Sequence, residues 1–344
     1  MHIPENYLSP VTCGVMTVAM VPVWAHAIKK VKVELPKEKL PLVGVGAAFS
    51  FLAMMFNVPL VGGTTGHAVG GTLIALLFGP NAACLAVSVA LLLQAVIFGD
   101  GGILAFGANC FNMAFILPYV GYAIYSMIVK RFGGANGEKT GVHYIAAAVG
   151  SYIGINVAAF AAAVEFGVQP LLFKDSLGNA LYCPYDLSVS IPAMMIPHLA
   201  VAGFVEAIFT VVVFAFVRKT APDLLFENIK TGATEAKSHI PVFALIAVLV
   251  AATPLGLLAT GTAWGEWGSD EIADVVTNGS ALGYTPSGLE NGWSLDVIMP
   301  DYAMEGMNEV VAYILSAIIG VALLVIIFKL ASLLVKEKKV SNVA

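Results

Sequence analysis

Charge is what this chain has least of. Asp, Glu, Lys and Arg make up 11% of its 344 residues, against 59% apolar residues and a mean hydropathy of +0.88. Soluble domains carry about 25% charged residues, so a soluble fold is excluded and an all-α polytopic membrane protein is expected. Cysteine is also sparse. Cys13, Cys84, Cys110 and Cys183 lack CxxC spacing, and three of them fall within apolar runs. That pattern excludes a disulfide framework and a cysteine zinc site, leaving small apolar residues. No basic stretch precedes the first apolar run, which contains Pro10 and Pro22, so a cleavable signal peptide is not expected.

Signatures of enzymatic chemistry are missing too. The chain has no HExxH, no GxSxG and no clustered aspartate pair. GGANGEKT at 133–140 lacks the Gly-Lys-Ser/Thr order of a phosphate loop, and no strand precedes it. The chain is therefore read as a non-enzyme without an organic cofactor or nucleic-acid partner. Any ATP it depends on must be hydrolysed by another subunit.

The apolar runs give spans at about 9–28, 40–59, 67–79 (short), 81–98, 103–129, 141–164, 191–217, 240–260 and 308–335. Nine helices are expected, surrounded by membrane lipids. Basic residues fall in four clusters: Lys29, Lys30, Lys32, Lys37 and Lys39; Lys130, Arg131 and Lys139; Arg218, Lys219, Lys230 and Lys237; Lys329, Lys336, Lys338 and Lys339. With nine spans these sixteen lie on one side, and Lys174 alone lies opposite. The positive-inside rule then places the amino terminus outside and the carboxyl terminus in the cytoplasm.

The first ten residues, MHIPENYLSP, carry the strongest chemical signal. His2 is too large to allow removal of Met1, so a free amine precedes histidine. Three nitrogens then follow in order: the Met1 amine, the Met1–His2 peptide nitrogen once deprotonated, and His2 Nδ1. They close a five- and a six-membered chelate ring, and the planar peptide keeps them nearly coplanar. One further ligand completes a square. Four planar nitrogens suit Ni(II), Cu(II) or low-spin Co(II), whereas Zn(II) prefers a tetrahedron and Mg(II) and Ca(II) take oxygens. Ser9-Pro10 reads as a helix cap followed by proline at the first helical position. Ile3, Pro4, Tyr7 and Leu8 make residues 1–8 apolar enough to fold back between helices and carry the amine inward.

A second signal is His67 in VGGTTGHAVGG, a glycine-rich connection expected to enter a short helix near Thr65 or Gly66, capped by Thr64 or Thr65. His67 would then sit in the first turn, where the helix dipole favours neutral imidazole. Ordinary small-residue packing around an interfacial histidine is the competing reading. Within the spans, Gln94, Asn109, Asn112, Asn156, His198 and Glu206 are the notable polar residues. All but Asn156 are candidates to support the metal ligands or line a polar pathway. His198 and Glu206 are eight residues apart, about 80° around a helix. That spacing fits a proton relay or, as favoured here, helix-to-helix hydrogen bonding.

Residues 218–239 turn hydrophilic and read as a cytoplasmic linker between a seven-helix unit, 1–217, and a two-helix appendage, 240–344. The appendage's external loop, 261–307, holds Glu266, Asp270, Glu271, Asp274, Glu290, Asp296, Asp301 and Glu305 and no basic residue. Such a loop either draws cations toward a mouth or merely avoids Lys and Arg.

MHIPENYLSP together with GGTTGHAVGG resembles the substrate-binding membrane component of the cobalt and nickel energy-coupling-factor transporters, the CbiM/NikM family, whose members commonly begin MHIPDGYLSP. The resemblance covers about residues 1–217. TPLGLLATGTAWGEWG at 253–268 and TPSGLE at 285–290 are similar, more weakly, to the two-span N component or PDGLE-type tail fused in some members. Glu5-Asn6 stands where Asp-Gly is usual, and Ser287 where Asp is expected. The resemblance implies Ni(II) or Co(II) as transported substrate, held by the Met1 amine, the amide and imidazole nitrogens of His2, and the His67 imidazole. It also implies a transmembrane coupling subunit and two ABC ATPase subunits as partners, in the cell membrane of a prokaryote. A stand-alone ion-coupled divalent cation carrier using His198 and Glu206 is the alternative. A membrane metalloenzyme is less favoured, since a closed plane leaves substrate only axial access.

Overall fold

The computed structural model describes residues 1–134, 139–231, 238–277 and 279–334. Lys237, Lys336, Lys338, Lys339 and parts of GGANGEKT and the expected linker lie outside them. Among the described residues, eight helices are long and apolar enough to cross a membrane. They are α1 (Pro10–Glu34), α2 (Lys37–Met55), α4 (Pro80–Phe98), α5 (Phe106–Phe132), α6 (Thr140–Leu172), α7 (Leu187–Thr220), α8 (Ile240–Leu258) and α9 (Glu309–Leu334). The start of α1 is as expected. Ser9 Oγ accepts from Thr12 N at 3.0 Å, and Pro10 takes the first helical position.

The segment expected as a short span at 67–79 folds differently. Helix α3 runs only from Gly71 to Phe78, about 12 Å at the α-helical rise against roughly 30 Å of hydrocarbon. The chain before it is not helical. Val58–Pro59 (β1) pairs antiparallel with Thr65–Gly66 (β2), and the chain then runs inward through buried Ala68 and Val69 to Gly70. Gly70 adopts φ 72°, a left-handed conformation that glycine takes without steric cost. Neither Thr64 nor Thr65 caps α3, and His67 is not in a helical turn. The polar pattern misleads here because irregular backbone at this depth is satisfied by tertiary partners rather than by a helix.

The far end of α3 reaches the basic end of the bundle. The Phe226 ring closes against Gly79, Asn81 donates to Glu34 at 3.0 Å, and Lys39 Nζ meets Asp223 Oδ2 at 2.6 Å. Three helices carry π-helical stretches, Gln94–Phe98, Cys110–Ile116 and His198–Ala202. Such bulges re-aim side chains and recur at functional sites.

The C-terminal helices pack closely on α2. A Cβ at Gly44 would lie 3.0 Å from the Leu324 carbonyl oxygen, and Gly256 sits against the Met55 carbonyl. Tyr313 Oη donates to that same carbonyl at 2.8 Å. Residues 261–307 then cross over the end of the bundle where residues 1–8 lie.

Candidate metal site

The amino-terminal segment is inlaid rather than free. Ile3, Tyr7 and Leu8 are buried, as their apolar character requires. Asn109 holds the backbone from both sides: Ile3 N donates to Asn109 Oδ1 at 2.8 Å, and Asn109 Nδ2 donates to Ile3 O at 3.0 Å. Glu5 Oε2 accepts from Ile103 N at 2.7 Å, and Tyr7 Oη donates to Trp267 O at 2.7 Å. Asn6, at the position where the resemblance puts glycine, has φ 65°. Asparagine is among the few residues that enter this region readily, so the sharp turn is compatible with this sequence.

This inlay brings His2 beside His67, with ring centroids 5.0 Å apart. Both line a cavity of about 570 Å³ that Met1, Asp100, Glu266 and Tyr302 also line. His2 is only 2% exposed, and its Nε2 is buried without a hydrogen-bond partner. Its Nδ1 lies 2.9 Å from Asp100 Oδ1, while the Met1 amine lies 3.8 Å from Glu266 Oε1. His67 Nδ1 is 3.1 Å from the Ala68 carbonyl. With the proton on that nitrogen, Nε2 presents its lone pair. Among the described residues no three His, Cys, Asp or Glu side chains gather as a metal cluster. What does meet there is a pair of imidazoles, with Met1 lining the same cavity.

The electrostatics suit a cation. Burial, then the neighbouring His2 and amino-terminal charges, push His67 down to about 3, which keeps it a neutral ligand. That neutrality comes from surroundings and not from a helix dipole. Burial alone would raise Asp100, but the charge and hydrogen bond of His2 outweigh it and hold the carboxyl well below its usual range. Glu266 is raised by burial, with the amino terminus opposing. Glu271, Asp301 and Glu309 stand exposed at the cavity rim.

The remaining expected residues divide. Gln94 Nε2 donates to Asp100 Oδ2 at 3.0 Å and to Tyr302 Oη at 2.8 Å, so it supports the site. Asn109 positions the N-terminal segment as above. Glu206 accepts from Val69 N at 2.7 Å and Gly70 N at 3.0 Å, anchoring the chain that carries His67. Asn112 lies away from the cavity and donates to Glu165 at 2.8 Å. His198 Nδ1 bonds to the Met194 carbonyl at 2.7 Å. His198 and Glu206 each bond to backbone, the one to Met194 O and the other to Val69 N and Gly70 N.

Sequence reasoning missed Asp100, Glu266 and Tyr302 as members of the site. A lone acid in GDGG at the end of an apolar run was a readable signal for Asp100. Gly99 and Gly101, with φ 71° and 86°, form the turn that presents it. Nothing local singles out Glu266 or Tyr302 within an acidic loop.

Apolar crossing helices around a cavity of imidazoles and carboxylates define a multi-pass membrane protein suited to handling cations. The chain belongs to the family described as cobalt uptake substrate-specific transmembrane region, which matches residues 2–224, and residues 237–337 match the PDGLE domain. It is 48% identical to a probable fused nickel transport protein LarMN of Lactiplantibacillus plantarum, over 96% of this chain and 97% of that protein. Identity to the fused nickel transport protein NikMN of Rhodobacter capsulatus is 47%, over 94% and 95% of the two chains. A solved structure of a transition metal transporter, 52% identical, superposes with a TM-score of 0.59 over 64% of this chain and 93% of that one. The chain is thus a multi-pass membrane protein of a nickel and cobalt transport family.

Proposed function

We propose that the chain captures Ni(II) or Co(II) from the outer side in a square of four nitrogens: the Met1 amine, the amide and Nδ1 of His2, and the His67 imidazole. The observation that carries this reading is the pairing of the two rings beside the buried first peptide. In such a square the chelate places its amide opposite His67, so the two imidazoles are neighbours. With metal–imidazole bonds of about 2.0–2.1 Å, neighbouring rings have centroids roughly 4–4.5 Å apart and opposed rings roughly 6 Å. The 5.0 Å separation lies closer to the neighbouring arrangement.

Charge balance supports the same assignment. A divalent ion bound to one deprotonated amide carries net +1, and the carboxylates of Asp100 and Glu266 beside it offset that charge. On this reading residues 1–217 form the metal-binding unit, 218–239 a linker, and 240–344 a covering unit. With no nucleotide motif in the chain, delivery to the cytoplasm draws on a transmembrane coupling subunit and two ABC ATPases. The chain itself performs no catalysis.

The test is metal content of the purified full chain beside a version with one residue added before Met1. That insertion keeps every side chain and moves only the amine. The native chain is expected to hold one Ni(II) or Co(II) and the extended one none. Equal binding by both would refute the chelate.

A further inference from the structure

Building on the four-nitrogen reading, we propose that Asp100 and Tyr302 are positioning residues for His2, so that the C-terminal region contributes a side chain to the metal site. Asp100 Oδ1 holds His2 Nδ1 at 2.9 Å. Its other oxygen accepts from Tyr302 Oη at 2.5 Å and from Gln94 Nε2 at 3.0 Å. Tyr302 lies some 200 residues further along the chain than Asp100. The carboxylate that fixes the His2 ring is therefore itself fixed by a hydroxyl delivered from the covering loop.

The delivery is built, not incidental. Asp301 and Tyr302 have φ 51° and 62°, two successive side-chain-bearing residues in the left-handed region. A bulky residue adopts that conformation only where its surroundings over-determine it. Here the Tyr302 ring stacks on Phe98 with centroids 4.8 Å apart and meets Tyr313 edge-on at 5.5 Å. Its carbonyl accepts from Ser316 Oγ at 2.9 Å. These contacts hold the strained turn and aim the hydroxyl at Asp100.

The arrangement also has a consequence for loading. The chelate needs His2 Nδ1, yet in the structure that nitrogen faces Asp100 while Nε2 is buried without a partner. One nitrogen cannot serve both. Loading turns the ring and leaves its single proton on Nε2: Nδ1 gives up its proton to water as it passes from the carboxylate to the metal, and Nε2–H donates to the carboxylate that Tyr302 and Gln94 keep in place. Metal-bound histidines commonly donate their second nitrogen to a carboxylate in this way, and loss of such support weakens metal affinity by about 10- to 100-fold.

Tyr302→Phe removes the hydroxyl and keeps the stacked ring. In full-length protein in detergent, Ni(II) titrated against a competing chelator should bind Y302F about tenfold more weakly, with unchanged stoichiometry and visible absorption at saturation. With 15N-histidine labelling, the His2 ring signals of metal-free Y302F should shift while those of His143, at the basic end, stay. Native affinity together with unshifted His2 signals would overturn the proposal. Should Y302F melt early, Asp100→Asn carries the same two readouts. If the native chain binds no Ni(II), the four-nitrogen reading fails, and the metal-free His2 signals still decide whether Tyr302 and Asp100 position that ring.

Discussion

Replacing Glu206 with glutamine should loosen the His67 chain without disturbing the N-terminal chelate. The carboxylate is fully buried and accepts from Val69 N at 2.7 Å and Gly70 N at 3.0 Å. Glutamine keeps one acceptor and turns an NH2 group toward the other backbone donor. A buried N–H left without a partner costs about 1–3 kcal/mol. That cost falls on the ordered state of residues 65–70, the state in which His67 stands beside His2. An apparent affinity scales inversely with the fraction of molecules in the competent arrangement, and about 1–3 kcal/mol corresponds to a 5- to 150-fold weakening. Competitive Ni(II) titration of E206Q in detergent, with thermal melting alongside, measures both consequences. If E206Q melts earlier yet binds Ni(II) with native affinity, the carboxylate holds only the fold and the reasoning is wrong.

Other consequences are local. Asn109→Leu removes both of its bonds to the Ile3 backbone and leaves the buried Ile3 N–H unpaired, at a cost of about 1–3 kcal/mol, since Gly102 N still donates to Ile3 O; it should make the first residues cleavable by an aminopeptidase, read by mass spectrometry. Asp223→Asn loses the charges facing Lys39 Nζ at 2.6 Å and His239 Nε2 at 2.9 Å, and should cost about 1–3 kcal/mol, seen as a lower melting midpoint. Burial raises Asp223, but its bonds to Lys39 and His239 outweigh that and depress it below its ordinary 3.8. A depressed carboxylate stabilises the fold above 3.8, and that contribution is lost as pH falls below it. D223N should therefore melt earlier than the native chain near neutral pH and converge with it on acidification.

Class was legible because the bilayer imposes length and apolarity on each crossing helix. The cap at Ser9-Pro10 was legible for a similar reason: it depends on residues within one turn. What escaped the sequence depends on partners far along the chain. The 56–70 connection looks like a glycine-rich helix start, but the N–H groups of Val69 and Gly70 at its end are satisfied by Glu206, about 140 residues away, so no local pattern could reveal its course. Asp100 and Tyr302 share the difficulty. The acidic loop offered two readings, and only packing shows that Glu266 and Tyr302 point into the cavity while Asp270 and Glu290 remain exposed. His198 and Glu206 were placed on one face by an ideal helical pitch, which the intervening π-helical stretch does not obey.

Metal preference gives the sharpest test of planarity. In a flexible set of nitrogens, affinity follows the Irving–Williams order, with Cu(II) strongest and Ni(II) and Zn(II) below it. The proposed site is not flexible. Residues 1–3 are pinned by Asn109 and by Gly102 N, which donates to Ile3 O at 2.9 Å, and one donor is a peptide nitrogen that must lose its proton. Zn(II), which favours a tetrahedron, gains little from displacing that proton, whereas Ni(II) and Cu(II) recover the cost in the strong field of a nitrogen square. Zn(II) should therefore bind at least about tenfold more weakly than Ni(II), a margin of about 1.4 kcal/mol. Ni(II) uptake should also release protons from both the ammonium and the amide, measurable in weakly buffered solution with a pH indicator. Equal Zn(II) and Ni(II) affinity, with no proton traceable to the amide, would mean that His2 and His67 hold the metal through their rings alone and that the first peptide is a bystander.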